Sequence, residues 1–399
     1  MIVGAASRCQ YVFMSNHRNP IRAVLGSGLG AAAAHNRRAV IDAIRVNGPL
    51  SRAALARATR LAKQTLSNIV EELESGGLLV AGDPVSDGRG KPSIPYDLAA
   101  MGALSIGLQI DRNVARTVVM NLKGAVVLRL DAPLSSRDPV AGLATLKTLL
   151  SDTRTALARA APEAADRLVG LGIAMPGPFG PDAAPAKDNY TMAHWHRVDL
   201  TDRLAEATGL DVALQNDAGA AAIAERLTGR AHGLRNAVCL YLGYGLGAGL
   251  ILNGELFGGR HGDAGEIGMI PLSPGDGAVL EHRVGLAGFC DRFGISLSEG
   301  QMFDEIERVL ARNDPALQDW IATAAGQLGW ATRMLRLVID PQAVILCGTA
   351  PQELLTRLAA QAGGGVVVGH ANPWVVALGA AAEPIARNFD PKYAALLKS

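Results

Sequence analysis

The sequence predicts an α/β protein in which a small three-helix head with a two-stranded wing precedes a larger body of layered strands and helices. Three observations point there. Between Asn36 and Ser75, apolar residues recur at helical spacing in three short segments, and two short strand-like runs follow. From Ala103 onward, apolar strands alternate with helical stretches, the pattern of α/β layers. Charge is also divided: residues 1–98 carry twelve Lys/Arg against seven Asp/Glu, a net +5, while the rest of the chain carries −4.

The composition bounds the possibilities. With 49% apolar and 19% charged residues, the 399-residue chain is ordinary globular material, long enough for two or three domains and neither disordered nor fibrous. No apolar run approaches the ~20 residues of a membrane helix. The first thirty residues hold Arg8, Arg18 and Arg22 without the apolar block and cleavage site of a secretory signal. Cys9, Cys239, Cys290 and Cys347 lie far apart with no CxxC pair, which argues against a disulfide scaffold and a cysteine-built zinc site. These features predict a cytoplasmic protein with no membrane contact.

Residues 1–34 end in Gly-Ser-Gly-Leu-Gly-Ala-Ala-Ala-Ala and read as a flexible arm, or as a segment upstream of a true start such as Met14. Residues 35–98 form the head and 99–399 the body. In the head, Val40, Ile41 and Ile44 mark a helix from Asn36 to about Asn47, stopped by Gly48-Pro49. Ser51 suits the N-cap of a short second helix that turns Ala54, Leu55 and Ala58 inward. A third helix, from about Ala62 to Ser75, puts Leu66, Ile69, Val70 and Leu73 on one face and ends at Gly76-Gly77. Leu78–Val80 and Ser93–Tyr96 then flank a tip, Asp87-Gly88-Arg89-Gly90-Lys91-Pro92.

Three helices with a tight second-to-third turn, followed by a hairpin, is the winged helix-turn-helix plan. A major groove accepts one helix, and only the face not buried on its neighbours can reach base edges. That face offers Lys63, Gln64, Ser67 and Asn68, with Thr65 at its margin. Arg89 and Lys91 on the Gly-rich tip suit a phosphate or a minor groove. The basic head therefore predicts a double-stranded DNA partner.

In the body, strands are predicted at Leu104–Ile110, Ala115–Asn121, Val126–Leu130, Leu168–Ala174, Val212–Gln215, Ala237–Leu242 and Ala343–Cys347. Helices are predicted near 141–160, 200–208 and 218–227, through Gly285–Leu337, and after Leu378. Four segments carry chemistry. The turn Gly172-Ile-Ala-Met-Pro-Gly-Pro178 lets backbone approach a ligand closely. In Gln215-Asn216-Asp217-Ala218, Asp217 is placed to act as a base toward a hydroxyl, with the Asn216 amide beside it, although Asn-Asp also serves as a plain helix N-cap. Gly243-Tyr-Gly-Leu-Gly-Ala-Gly249 is a glycine-rich hairpin able to approach phosphates. Glu266, in Gly265-Glu-Ile-Gly268, and Glu281 add two more carboxylates.

Together these segments resemble the ROK family of bacterial sugar kinases and sugar-responsive repressors, from about Asn36 to Pro391. Gly48–Asn68 and the wing Gly88-Arg-Gly-Lys-Pro92 are similar to the repressor branch. Leu171–Pro178, Gln215–Ala218, Gly243–Leu256 and Gly262–Gly268 follow the family's order and spacing. The resemblance implies a two-lobed, actin-like α/β body with sugar in the cleft. It implies hydroxyl contacts from Asn216, Asp217, Glu266 and Glu281, and from Asn189 before Trp195, with Asp217 at the kinase-base position.

The departures are as informative. Kinase members open the body with Asp-x-Gly-x-Thr, whereas this chain has Gln109-Ile110-Asp111-Arg112-Asn113. Gln109 replaces a carboxylate that helps hold metal-bound phosphate, and Asp111 and Arg112 fill space that ATP phosphates need. Phosphoryl transfer rests on positioning and charge stabilisation, so the loss predicts a protein that is no enzyme, with Asp217 a vestigial base. The family's zinc-binding His and three Cys are missing: Met269 and the thiol-free 271–277 loop stand there, and His261 and His282 do not replace them. No metal and no cofactor are expected. The sequence thus predicts a transcriptional repressor, a homodimer or dimer of dimers, binding an operator and a sugar effector. The alternatives are an active ATP-dependent sugar kinase with a DNA-binding head, and a constitutive DNA binder whose body only dimerises.

Overall fold

The computed structural model describes residues 28–86, 92–134, 139–177, 179, 192, 194–195, 198–272, 277–296 and 302–391. Helix α1 (Gly28–Asn47) starts inside the stretch expected to be a flexible arm. Ala31–Ala34 belong to the strongest helix-forming residue type and extend the helix back from Asn36. Strand β1 (Leu50–Ser51), α2 (Arg52–Thr59), α3 (Lys63–Ser75), β2 (Leu79–Ala81) and β3 (Pro95–Leu98) complete the head. Ser51 Oγ accepts from the Ala54 amide at 3.3 Å, capping α2 as predicted. Leu55 is buried there, but Ala58 faces solvent and Ala56 packs inward instead. The three strands pair antiparallel in the order β1-β3-β2.

The head's apolar core gathers Val40, Ile41, Ile44, Leu55, Leu66, Ile69, Val70 and Leu73, and it does not close at residue 98. Ala103, Leu122 and Ile385 are buried in the same cluster, with Val169 and Phe389 packed against it. Polar contacts follow the same seam. Arg38 Nε donates to the Asn388 carbonyl at 2.9 Å, and an Arg167 guanidinium nitrogen donates to the Gly77 carbonyl at 3.1 Å.

The body contains two five-stranded sheets built to one plan. The first comprises β4 (Leu104–Ile110), β5 (Val114–Asn121), β6 (Val126–Pro133), β7 (Leu168–Met175) and β8 (Val212–Asn216), in the order β6-β5-β4-β7-β8. The second comprises β9 (Ala237–Leu242), β10 (Leu246–Leu252), β11 (Glu255–Phe257), β12 (Ala343–Gly348) and β13 (Val366–Ala371), in the order β11-β10-β9-β12-β13. In each, three strands form an antiparallel meander, and two more join parallel to the meander's first strand. β4 is buried throughout, as a central strand covered on both faces must be.

Helices α4 (Pro139–Ala160) and α5 (Leu200–Thr208) cover the outer face of the first sheet. Helices α7 (Leu280–Val284), α8 (Leu286–Phe293), α9 (Met302–Arg312), α10 (Pro315–Ile339) and α11 (Gln352–Ala362) form the core of the second lobe with its sheet. Between the sheets lie α6 (Asp217–Thr228) and α12 (Val375–Phe389), both rich in alanine. They cross so closely that a Cβ on Gly379 would stand 1.7 Å from the Ala220 carbonyl oxygen. This is the two-lobed, actin-like α/β body expected, behind a winged helix-turn-helix head. No described helix is long and apolar enough to cross a membrane.

Candidate functional site

Two sites emerge. On the head, α2 is capped by Arg60 in the left-handed conformation (φ 57°), and α3 begins three residues after it, at Lys63. Lys63, Gln64, Thr65 and Asn68 are exposed on α3 and Ser67 is half-buried, while Leu66, Ile69, Val70 and Leu73 face the core. Gln64 Nε2 donates to Asn68 Oδ1 at 3.0 Å, so the two amides share one strip. The N-cap residue, Ala62, has no side-chain acceptor, which leaves the first amides of α3 pointing outward. Glu71 and Glu72 are held by Arg52 and Arg37 at 3.3 and 3.0 Å, within the head. The predicted wing residues Arg89 and Lys91 lie outside the described residues.

The second site is a cleft between the lobes that opens to solvent. Its lining includes Asn216, Asp217, Glu266, Glu281, Arg112 and Met269. Four predicted ligand contacts, Asn216, Asp217, Glu266 and Glu281, are therefore brought together from β8, α6, the loop after β11, and α7. Asn189 lies outside the described residues.

Local structure fixes each group. Asn216 caps α6: its Oδ1 accepts from the Ala218 and Gly219 amides at 2.7 and 3.3 Å, so the N-cap role is real. Its Nδ2 is left to donate to Glu266 Oε1 at 2.6 Å, which ties the first lobe to the second across the cleft floor. Gly177 makes room for this pair, because a Cβ there would stand 2.4 Å from Glu266 Oε1. A Cβ on Gly245 would stand 2.2 Å from Glu281 Oε2.

The carboxylates are half-buried and crowd one another. Burial, then Asp111, pushes Asp217 up to about 7, against the pull of Arg112 and the Ala218 amide. Burial, then Asp217 and Asp263, pushes Glu266 up to about 8, partly countered by Asn216. Carboxyls holding protons near neutrality can donate to a hydroxyl oxygen as well as accept from one, which suits polyol recognition.

The segment expected to be an altered phosphate loop is the β4–β5 turn. Asp111 Oδ1 accepts from both the amide and the guanidinium of Arg112, at 2.7 and 3.1 Å. The guanidinium lies 4.0 Å from the centroid of the Tyr244 ring. Gln109 is 2% exposed and, among the described residues, its Oε1 has no partner. The glycine-rich hairpin also serves packing. Gly247 and Gly249 sit in β10, where Cβ atoms would stand 2.8 and 2.3 Å from the methyls of Ala218 and Ala222. They let α6 lie close on the sheet, while Gly245, Leu246 and Gly247 line the cleft.

Sequence reasoning did not single out Glu225. It is fully buried on α6, and its carboxylate accepts from the Arg230 amide at 2.8 Å and from the His370 amide on β13. A helical Glu carries no local sign of such a role.

Comparisons with known proteins agree with this layout. Residues 125–361, more than half of the chain, match the model of the ROK family, and residues 36–90 match that of the MarR family. The chain is 24% identical over 329 residues to the uncharacterized protein y4fQ of Sinorhizobium fredii, covering 81% of this chain and 80% of that one. It is 28% identical over 240 residues to the xylose repressor of Bacillus subtilis, covering 59% of this chain and only 60% of the repressor. Glucokinases are among the relatives too. The fold matches a crystal structure described as a ROK family transcriptional regulator, homolog of the E. coli MLC protein. That match has a TM-score of 0.69 at 22% identity, over 92% of this chain and 100% of the other.

Proposed function

This chain belongs to the ROK family, and on that premise we propose that it is a DNA-binding transcriptional repressor whose kinase-like cleft senses a sugar or sugar derivative without phosphorylating it. The observation that carries the reading is the joining, in one chain, of an exposed polar reader helix and a carboxylate-lined cleft whose phosphate end holds Asp111 and Arg112. The MarR-type head and the repressors among the relatives support it.

In this reading α3 enters the major groove and presents Lys63, Gln64, Thr65, Ser67 and Asn68, while Arg89 and Lys91 steady the wing on the backbone. The outward amides at the start of α3 suit a phosphate. Two copies read two half-sites about one helical turn apart, or a multiple of it. The second copy docks on α10, where Trp330, Met334, Leu337 and Val338 form an exposed apolar stripe at i, i+4, i+7 and i+8. Asn216, Asp217, Glu266 and Glu281 hold the effector's hydroxyls, with Asn189 as a further contact. Effector shifts the lobes only by its difference in affinity for their two arrangements, typically about 1–3 kcal/mol. The protein works in the cytoplasm, beside its operator.

Neither family cofactor suits the residues present. A nucleoside triphosphate meets an acidic, side-chain-filled turn. Zinc meets a thioether at Met269 and, among the described residues, no group of three His, Cys, Asp or Glu placed to hold a metal ion. We assign no metal and no cofactor. One observation favours the kinase alternative: Asp217 is held near neutrality, where a general base works best.

The deciding experiment pairs operator binding by fluorescence anisotropy, over a sugar panel, with a coupled ATP-turnover assay. Sensing predicts a sugar-dependent change in operator affinity that Asp217→Ala and Glu266→Ala each abolish, with affinity in the absence of sugar unchanged. Sugar-dependent ATP turnover lost in Asp217→Asn would establish the kinase instead.

A further inference from the structure

The two sheets share one plan, so their first hairpins are equivalent parts: the β4–β5 turn of one lobe and the β9–β10 turn of the other. These tips meet across the cleft. Arg112 extends from the first, and its guanidinium stacks 4.0 Å from the ring centroid of Tyr244 on the second. The guanidinium is mostly withdrawn from water, its side chain being 12% exposed. Both ends are fixed before they meet. The Asp111 amide closes its turn by donating to the Val114 carbonyl at 2.9 Å, and the Asp111 carboxylate holds Arg112. The Gly243 and Tyr244 carbonyls accept from the Leu286 and Ala287 amides at 3.1 and 3.0 Å, seating the ring's backbone on the start of α8. An aromatic face and a partly desolvated guanidinium held this way attract one another without further ordering of either.

We propose that Arg112 and Tyr244 form a clasp between the lobes that holds the two hairpin tips together and closes that end of the cleft. Two tips placed to surround a phosphate chain grip each other instead. The clasp lies apart from the Asn216–Glu266 hydrogen bond, which lies among the proposed hydroxyl contacts, and from the bond that the Phe179 amide donates to Asp263.

Hydrogen–deuterium exchange on the full chain, without DNA or sugar, tests this. The Asp111 and Gly243 amides, hydrogen-bonded within their own turns, report on the two tips. Arg112→Ala is expected to raise exchange roughly tenfold at Gly243, in the other lobe, and Tyr244→Leu to do the same at Asp111. The double variant should exceed neither single variant by more than twofold. Tyr244→Phe keeps the ring face and should match the parent at both tips, and Arg112→Lys, which stacks less well, should fall between. Changes confined to the substituted tip, or a Phe variant behaving like Leu, would overturn the clasp. Because the readout needs neither ligand nor operator, that result would leave the regulator reading untouched.

Discussion

Replacing Asp217 with asparagine is expected to stabilise this protein at pH 8 but not at pH 4. In the folded chain the carboxyl holds its proton up to about pH 7, against an ordinary value of 3.8. The folded state thus binds more protons than the unfolded one between those values, and stability falls as pH rises through the window. Above pH 7 the loss is complete. Three units correspond to about 4 kcal/mol. Asp217 lines a cleft open to water, which relieves part of that cost, so about 2 kcal/mol is the working figure. Asparagine keeps the acceptor that receives the Ala218 amide at 2.7 Å and carries no charge at any pH. For a chain this long, about 2 kcal/mol moves the melting temperature by roughly 2–4 °C. Thermal unfolding of both proteins from pH 4.5 to 8.5, at constant ionic strength, should show the variant's advantage growing from near zero to that size and then levelling. Glu266→Gln should gain over a window ending about one unit higher. An advantage equal at pH 5 and pH 8 would refute the argument, since a mere packing gain has no reason to titrate.

Two further outcomes concern DNA and assembly. Lys63→Ala with Gln64→Ala should bring operator and non-operator affinities together, costing about 1–3 kcal/mol of discrimination, whereas Arg89→Ala should weaken all sequences alike and lower the salt slope by about one; competition titrations at several salt concentrations separate these. Leu337→Glu places a charge in the α10 stripe, at a residue 83% exposed, and should turn dimer into monomer in sedimentation velocity without lowering the melting point; a dimer that persists would move the interface elsewhere.

Much of this architecture was legible because local pattern and tertiary demand coincide. Val40, Ile41 and Ile44, and the α3 set Leu66, Ile69, Val70 and Leu73, repeat at helical spacing and all are buried. The strands Leu104–Ile110 and Ala237–Leu242 are runs of residues buried on both faces. Asn216, Asp217 and Glu266 could be gathered before their geometry was known because each sits in a short motif, whereas Glu281 rested on the family resemblance alone. Legibility failed where a residue answers to something distant. β13 was not predicted: glycines precede it, and Gly369 interrupts it at a point where a Cβ would stand 2.3 Å from a Glu225 oxygen. Glu225 itself reads as one more helical surface charge. The packing of Gly247 and Gly249 against α6 likewise has no local sign in a run of glycines. The meeting of Arg112 with Tyr244 joins residues far apart in sequence, and no local pattern encodes it.

The seam between head and body bears on how such regulators can be rearranged. Ala103, Leu122 and Ile385 are 1%, 2% and 8% exposed in a core whose other buried members all precede residue 99. A graft that exchanged only the first hundred residues would pair a foreign reader with the wrong plug and leave apolar surface bare on both sides of the junction. The head, the 103–122 segment and α12 therefore form one transplantable cassette, and chimaeras intended to redirect specificity should carry them together.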